Sequence, residues 1–375
     1  MGDKMHKRQC FINLITIVFL FAAQSYAGKD DLRLEVLPLP IASRASLTDN
    51  TSRAYITADP NWYTWCPSVI LGDDGKYHML HSRWARKTTF SGWLLFSEVA
   101  HAVAHRPEGP YRYAETVLSG RGKFAWNAIT AHNPKITRFD GKYYLYHCST
   151  YGETNETKLL EIAKTGGKHP LWNPIRNNQR TGVAVADSLS GPWRVSDKPV
   201  VEPAGPITRI TVNPAVCRGP DGTYFMIVKG DKPGDTRFIR NQAIATARTP
   251  AGPFTIQPKP VIDYLDTEDV SMWYDQKRAR FYAVFHAHTF IGMVTSDDGY
   301  TWSKAAQFQL TVKRVLFDDG SIVPVDNMER PFVLTDDHGQ PQWLFVAVKK
   351  GDRSYNLAMA LRVGGDPDEH EGVQR

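Results

Sequence analysis

Three carboxylates stand out among the residues able to do chemistry. Glu268 and Asp269 are adjacent in Thr267-Glu268-Asp269-Val270, and Glu329 lies in Met328-Glu329-Arg330-Pro331. Two carboxyl groups flanking a scissile bond divide the work of general acid–base hydrolysis. One protonates the leaving oxygen; the other activates water or attacks directly. Neighbours in an extended strand point to opposite faces, so one of Glu268 and Asp269 is expected to face a common site. Asp269 is favoured, because it holds the same place in its segment as Asn133, Asn213 and Arg330 do in theirs. His132, Asn133, Asn213 and Arg330 suit the holding of polar groups. Trp62, Trp65 and Trp84 offer flat apolar faces. Arg83, like Arg330, presents a fork of donors to a carboxylate or sulfate. Glu98 is a weaker candidate acid. His286 and His288, two apart in a strand, share one side of it, a spacing that suits a metal ion. Two ligands are thin support, and no cofactor is expected. The oxygen cage of a structural calcium site is not assembled by any motif.

The elements that must position these residues form a repeat. A polar residue, Pro, a short apolar strand, an Asp-Gly type turn and an aromatic strand recur five times. The copies begin at Cys66-Pro67, Asn133-Pro134, Asn213-Pro214, Asp269-Val270 and Arg330-Pro331. Their turns include Asp73-Asp74-Gly75, Asp140-Gly141, Asp221-Gly222 and Asp337-His338-Gly339. Asp-Gly between apolar runs is a strong hairpin signal, since Gly supplies positive φ. A second motif follows in Gly109-Pro110-Tyr111, Gly191-Pro192-Trp193 and Gly252-Pro253-Phe254, with Asp298-Gly299-Tyr300 in the fourth copy. It reads as the turn into an outermost strand, where Pro is tolerated. Pro67 to Pro331 spans 264 residues over four intervals, a mean of 66. Four strands fit that length. The expected fold is all-β: a five-bladed β-propeller of four-stranded antiparallel blades.

Composition agrees with a globular chain, 42% hydrophobic and 22% charged. Lys4, Lys7 and Arg8, the apolar run from Phe11 to Ala23, and Ser25-Tyr26-Ala27 read as a secretory signal peptide over 1–27. No later stretch approaches the ~20 apolar residues of a membrane-spanning helix. A secreted or periplasmic protein is expected. Residues 28–54 read as an N-terminal extension, 55–365 as one propeller domain with an insertion at 153–180, and 366–375 as a flexible tail. The formal charge of +6 falls to +4 without 1–27, which holds three basic residues and one acidic one. With no Lys/Arg-rich run, nucleic acid is not an expected partner. Cys66, Cys148 and Cys217 remain, an odd number with no C-x-x-C spacing, and read as buried, inert thiols.

Five such blades resemble the five-bladed propeller glycosidases, glycoside hydrolase family 43 and its relatives. The resemblance spans roughly residues 55–350. It is carried by Ala131-His132-Asn133-Pro134, Thr211-Val212-Asn213-Pro214-Ala215, Thr267-Glu268-Asp269, Met328-Glu329-Arg330-Pro331 and Tyr77-His78-Met79-Leu80-His81-Ser82-Arg83-Trp84. It implies a carbohydrate substrate, neutral or anionic, in a central funnel where the innermost strands begin. Asp269 and Glu329 would then be the acid/base pair on a plant or algal poly- or oligosaccharide, with the tryptophans stacking on sugar rings. One departure matters. Family 43 members usually carry an Asp before the first-blade Pro, and here that residue is Cys66. A non-catalytic glycan-binding propeller is therefore the alternative, with a polysaccharide lyase behind it.

Overall fold

The computed structural model describes residues 31–364 except Phe238. Five antiparallel four-stranded sheets form the blades of a propeller, as the repeat requires. Their innermost strands are Trp62–Leu71, Thr130–Phe139, Thr208–Arg218, Thr267–Asp275 and Asn327–Thr335. In blades 1 to 4 the chain runs outward strand by strand. Blade 5 is completed differently. Its outermost strand is Arg33–Val36, paired with Arg353–Gly364, so the ring is closed by the N-terminal segment. Part of the expected extension thus belongs to the propeller, and Ile56–Thr57 also pairs with Arg353–Gly364. The signal-peptide and tail readings lie outside the described residues. No helix among the described residues is long and apolar enough to cross a membrane.

The motifs act as their chemistry requires. Asp140 and Gly141 both take positive φ, the geometry a two-residue hairpin needs to match strand twist. Gly109, Gly191 and Gly252 also take positive φ, each before a Pro. They lead into the outer strands Arg112–Leu118, Arg194–Val195 and Thr255–Ile262.

The cores lie between blades rather than within them. Leu80, Val99, Ile136 and Leu145 join blades 1 and 2; Tyr146, Val183, Met226 and Val228 join blades 2 and 3. Phe225, Ile227, Phe281 and Phe285 join blades 3 and 4, and Tyr282, Val284, Leu344 and Val346 join blades 4 and 5. Val69 and Met79 meet Leu334 and Phe345 to close the ring. A sheet with two apolar faces has to be covered on both, and circular closure does this for every blade.

The 153–180 stretch sits between the second and third strands of blade 2 and carries helices Glu156–Thr165 and Trp172–Arg176. Asn155 caps the first helix by accepting from the Lys158 amide. Its Leu159, Ile162 and Ala163 pack on Leu94 and Leu95. Those two belong to short helical turns over 86–96 in blade 1, a second insertion that the sequence reading did not separate. The two insertions together build one wall above the hub.

Candidate active site

One local device repeats at the hub. Cys66, Asn133, Asn213, Asp269 and Arg330 all have φ between 50° and 60°. Each lies where its strand slips register against the second strand of the blade. This is a β-bulge, which re-aims side chains locally. The residues just before the bulges, Trp65, His132, Val212, Glu268 and Glu329, all line one cavity of 340 Å³ at the end where the innermost strands begin. The bulge residues form its floor. Asn133 Nδ2 donates to Asn213 Oδ1 at 2.6 Å, and Asn213 Nδ2 donates to Asp269 Oδ1 at 2.5 Å. Arg330 Nη1 donates to the same Asp269 oxygen. Backbone amides tie the ring to neighbouring blades: Asn133 N donates to Ser82 Oγ at 2.8 Å and Asn213 N to Cys148 Sγ at 3.0 Å.

The expected residues separate accordingly. Trp65, Trp84, His132, Asn213, Glu268, Glu329 and Arg330 line the cavity. Asn133 and Asp269 are fully buried beneath it. The expectation that Asp269, rather than Glu268, would face the site is corrected: the cavity wall holds Glu268. Alignment with Asn133, Asn213 and Arg330 marked the bulge position, and the bulge turns that position down into the hub. Trp62 and Arg83 are not part of the cavity. The Arg83 guanidinium lies between the rings of Trp62 and Tyr113, at 4.2 and 4.0 Å, and pairs with Glu98 at 2.8 Å. Glu98 is thereby a structural partner on blade 1.

The wall is divided into two halves. Trp65, Trp84, Phe90, Trp93 and Trp172 make the aromatic half. Trp93 meets Trp172 edge-on at 6.2 Å and lies 5.3 Å from the His132 ring. His132 Nδ1 pairs with Ser97 Oγ at 2.8 Å, and burial holds this imidazole well below its ordinary pKa, hence neutral. The other half is ionic. Lys229 Nζ donates to Glu268 at 2.6 Å, and Arg240 donates to Glu268 and, at 2.6 Å, to Asp266. Arg176 grips buried Asp231 with both terminal nitrogens, at 2.5 and 2.6 Å. Burial alone would raise the Glu268 carboxyl, but Lys229 and Arg240 outweigh it and hold the group well below the usual range. Glu329 accepts from Asn327 Nδ2 at 2.6 Å and makes no ion pair among the described residues.

Lys229, Arg240, Trp93, Trp172 and Arg176 escaped the sequence reading. A signal existed for Lys229: it ends the apolar run Phe225-Met226-Ile227-Val228 and, in a central strand, a lysine there needs a buried partner. Trp93, Trp172 and Arg176 sit in the insertions, and Arg240 begins the third strand of blade 3; no periodicity encodes which of them meet the cavity.

Asp269, His286 and Glu329 each place one ligand atom within 4.8 Å of the others. Asp269 Oδ2 and both His286 ring nitrogens lack hydrogen-bond partners among the described residues, although His286 Nδ1 lies 3.5 Å from Asp269 Oδ2. One imidazole with two carboxylates suits a borderline ion better than calcium, which takes six to eight oxygens. His288 is turned away, two-thirds exposed and paired with Asp266 at 2.9 Å, so the spacing of His286 and His288 does not bring them together as ligands. Cys66, Cys148 and Cys217 are free and buried; burial pushes the Cys66 thiol up to about 12 and Cys148 up to about 11, as inert thiols require.

No protein-family model matches the chain, and no curated protein matches it in sequence. Solved structures do match in fold. A family 117 glycoside hydrolase, Zg3597, from the marine bacterium Zobellia galactanivorans superposes with a TM-score of 0.58 at 16% identity, covering 89% of this chain and 91% of that one. A thermostable family-43 glycoside hydrolase gives 0.57 at 12% identity, covering 82% and 94%. CoXyl43, a family 43 β-xylosidase/α-arabinofuranosidase from a compost microbial metagenome, gives 0.52 at 16%, covering 84% and 95%. At these identities the likeness establishes the five-bladed architecture that these glycoside hydrolases share with this chain.

Proposed function

We propose that this chain is an exported glycoside hydrolase acting on a neutral or anionic plant or algal poly- or oligosaccharide. The observation that carries the reading is that two carboxylates, Glu268 and Glu329, line one hub cavity with four tryptophans. Sugar rings offer an apolar face to aromatic side chains and hydroxyls to polar ones, and this cavity has both halves. Glu329, which makes no ion pair among the described residues, is the group suited to give a proton to the leaving oxygen. Glu268, held ionised by Lys229 and Arg240, carries the negative charge that orders water and faces an oxocarbenium-like centre. Asp269, proposed from sequence as catalytic, is reassigned as a positioning residue that fixes Arg330 on the floor. Arg330, Asn213 and His132 are the groups placed to hold hydroxyls, with Asn133 supporting Asn213.

The test is release of reducing sugar from a panel of plant and algal oligosaccharides by the wild type and Glu329→Gln. Turnover that the variant retains in full on a cleaved substrate refutes the assignment. One observation favours a glycan-binding propeller instead: the first-blade hub position is the buried, protonated Cys66, which activates no water. Affinity without release on the same panel selects that reading.

A further inference from the structure

The hub has a second mouth. Past the bulges the innermost strands surround a cavity of 470 Å³, lined by residues such as Met272, Trp273, Phe332 and Val333, at the opposite end from the candidate active site. One ammonium group belongs to its lining: Lys135, two residues beyond the bulge at Asn133. The equivalent places in the other blades hold Ser68, Ala215, Ser271 and Phe332, so the charge enters from one blade alone.

Lys135 is 5% exposed. Its Nζ has one acceptor among the described residues, the Pro331 carbonyl oxygen at 3.1 Å, and lies 5.3 Å from the Phe332 ring centre. It makes no ion pair among the described residues. The carboxylate whose charge acts on it, Asp269, is engaged by Arg330 and Asn213. An ammonium has three donors, and a buried charge without a counter-ion is costly unless something pairs with it. The rim cations do not share this need, because Arg138 pairs with Asp73 at 2.6 Å and Arg218 with Asp140 at 3.2 Å.

We propose that the rear cavity is a second ligand site, taking a small organic monocarboxylate whose charged head meets Lys135 Nζ and whose apolar body lies against Phe332 and Met272. A single deep cation beside the apolar and aromatic side chains of Phe332, Met272 and Trp273, with the polar groups gathered toward the rim, selects one negative charge on a molecule with an apolar body. The site is independent of the glycosidase reading, since it shares neither mouth nor wall with the front cavity.

The experiment is calorimetric titration of the full chain at pH 6.5 with benzoate, with benzyl alcohol as the uncharged match. Saturable one-to-one binding of benzoate, at least tenfold tighter than benzyl alcohol, is expected. Lys135→Met should weaken benzoate at least tenfold, whereas Trp172→Ala, in the front wall, should leave it unchanged. A titration of the wild type at pH 9.5 covers the case in which Lys135→Met does not fold. Burial lowers the Lys135 ammonium to about 8, so its charge is lost there and affinity should drop at least tenfold. The groups acting on it keep their states across this interval: Cys66 and Cys148 are pushed up to about 12 and 11, Asp269 is lowered and Arg330 raised. Arg138, Arg218, Asp336 and Asp337 stand at the rim. Three results overturn the proposal: no saturable binding by the wild type, equal affinity for the alcohol, or benzoate affinity that survives Lys135→Met or the rise in pH.

Discussion

The guanidinium of Arg330, on blade 5, donates to the carboxylate of Asp269, on the neighbouring blade 4, at the propeller hub. Asp269 is fully buried and Arg330 nearly so. Each charge makes the other tolerable in the hub, and the pair closes the floor of the cavity above. A buried ion pair adds little net stability compared with an apolar pair, but removing one partner leaves an uncompensated charge.

Asp269→Asn is therefore expected to destabilise the fold by about 3–5 kcal/mol at neutral pH. The pH dependence has a definite sign. Burial alone would raise the Asp269 carboxyl, but Arg330 and the nearby His286 ring outweigh it and leave the pKa lowered. A lowered carboxylate contributes stability that is full above its unfolded pKa of about 3.9 and is lost as pH falls through the folded value. The gap between wild type and variant, read from urea midpoints, should narrow below about pH 4. A gap that stays constant from pH 7 to pH 3 contradicts the role.

Glu268 and Glu329 should respond differently to the same change. Glu329→Gln removes a carboxylate that makes no ion pair among the described residues, so thermal stability should hold while turnover falls by about 10²–10⁴. Glu268→Gln takes a partner from both Lys229 and Arg240 and should cost about 1–3 kcal/mol in addition to any loss of turnover. Parallel melting curves and initial rates separate the two. Equal stability losses would mean that the ionic half of the wall is not organised around Glu268.

Trp172 tests the wall built by the insertions. Its ring is half-buried and meets Trp93 edge-on. Trp172→Ala should weaken glycan affinity by roughly 3–10-fold, the worth of about one aromatic contact, with little change in melting temperature. Quenching of tryptophan fluorescence by oligosaccharide measures this, and unchanged affinity would remove the insertions from the binding surface.

Ring closure depends on the strand Arg33–Val36. Leu34 is buried in the core between blades 4 and 5, and Gln307 hydrogen-bonds its backbone on both sides, at 2.7 and 2.8 Å. Leu34→Ala should cost about 2–5 kcal/mol, a large loss for a residue near the start of the described chain. A midpoint shift near zero would show that the ring holds without this strand.

Much of the architecture was legible because it is local. Asp140-Gly141 makes its hairpin, and Gly191-Pro192-Trp193 leads to an edge strand, through preferences of the residues themselves. Even the bulge left a trace, as the polar residue before each Pro. The five-fold recurrence of these short-range signals specifies blades, and blades with two apolar faces can be satisfied only by a ring.

What the linear chain could not decide is which side of each bulge meets the cavity and which charges meet one another. Glu268 and Asp269 are equivalent as neighbouring acids; the register slip puts one on the wall and the other under the floor. Lys229 and Glu268 are 39 residues apart and Arg330 and Asp269 are 61 apart, and such pairings carry no short-range pattern because they arise from the packing of different blades. The closing strand is the same case. Arg33–Val36 carries no Asp-Gly or Gly-Pro signal and becomes part of blade 5 only because the assembled ring leaves an open edge for it to cover.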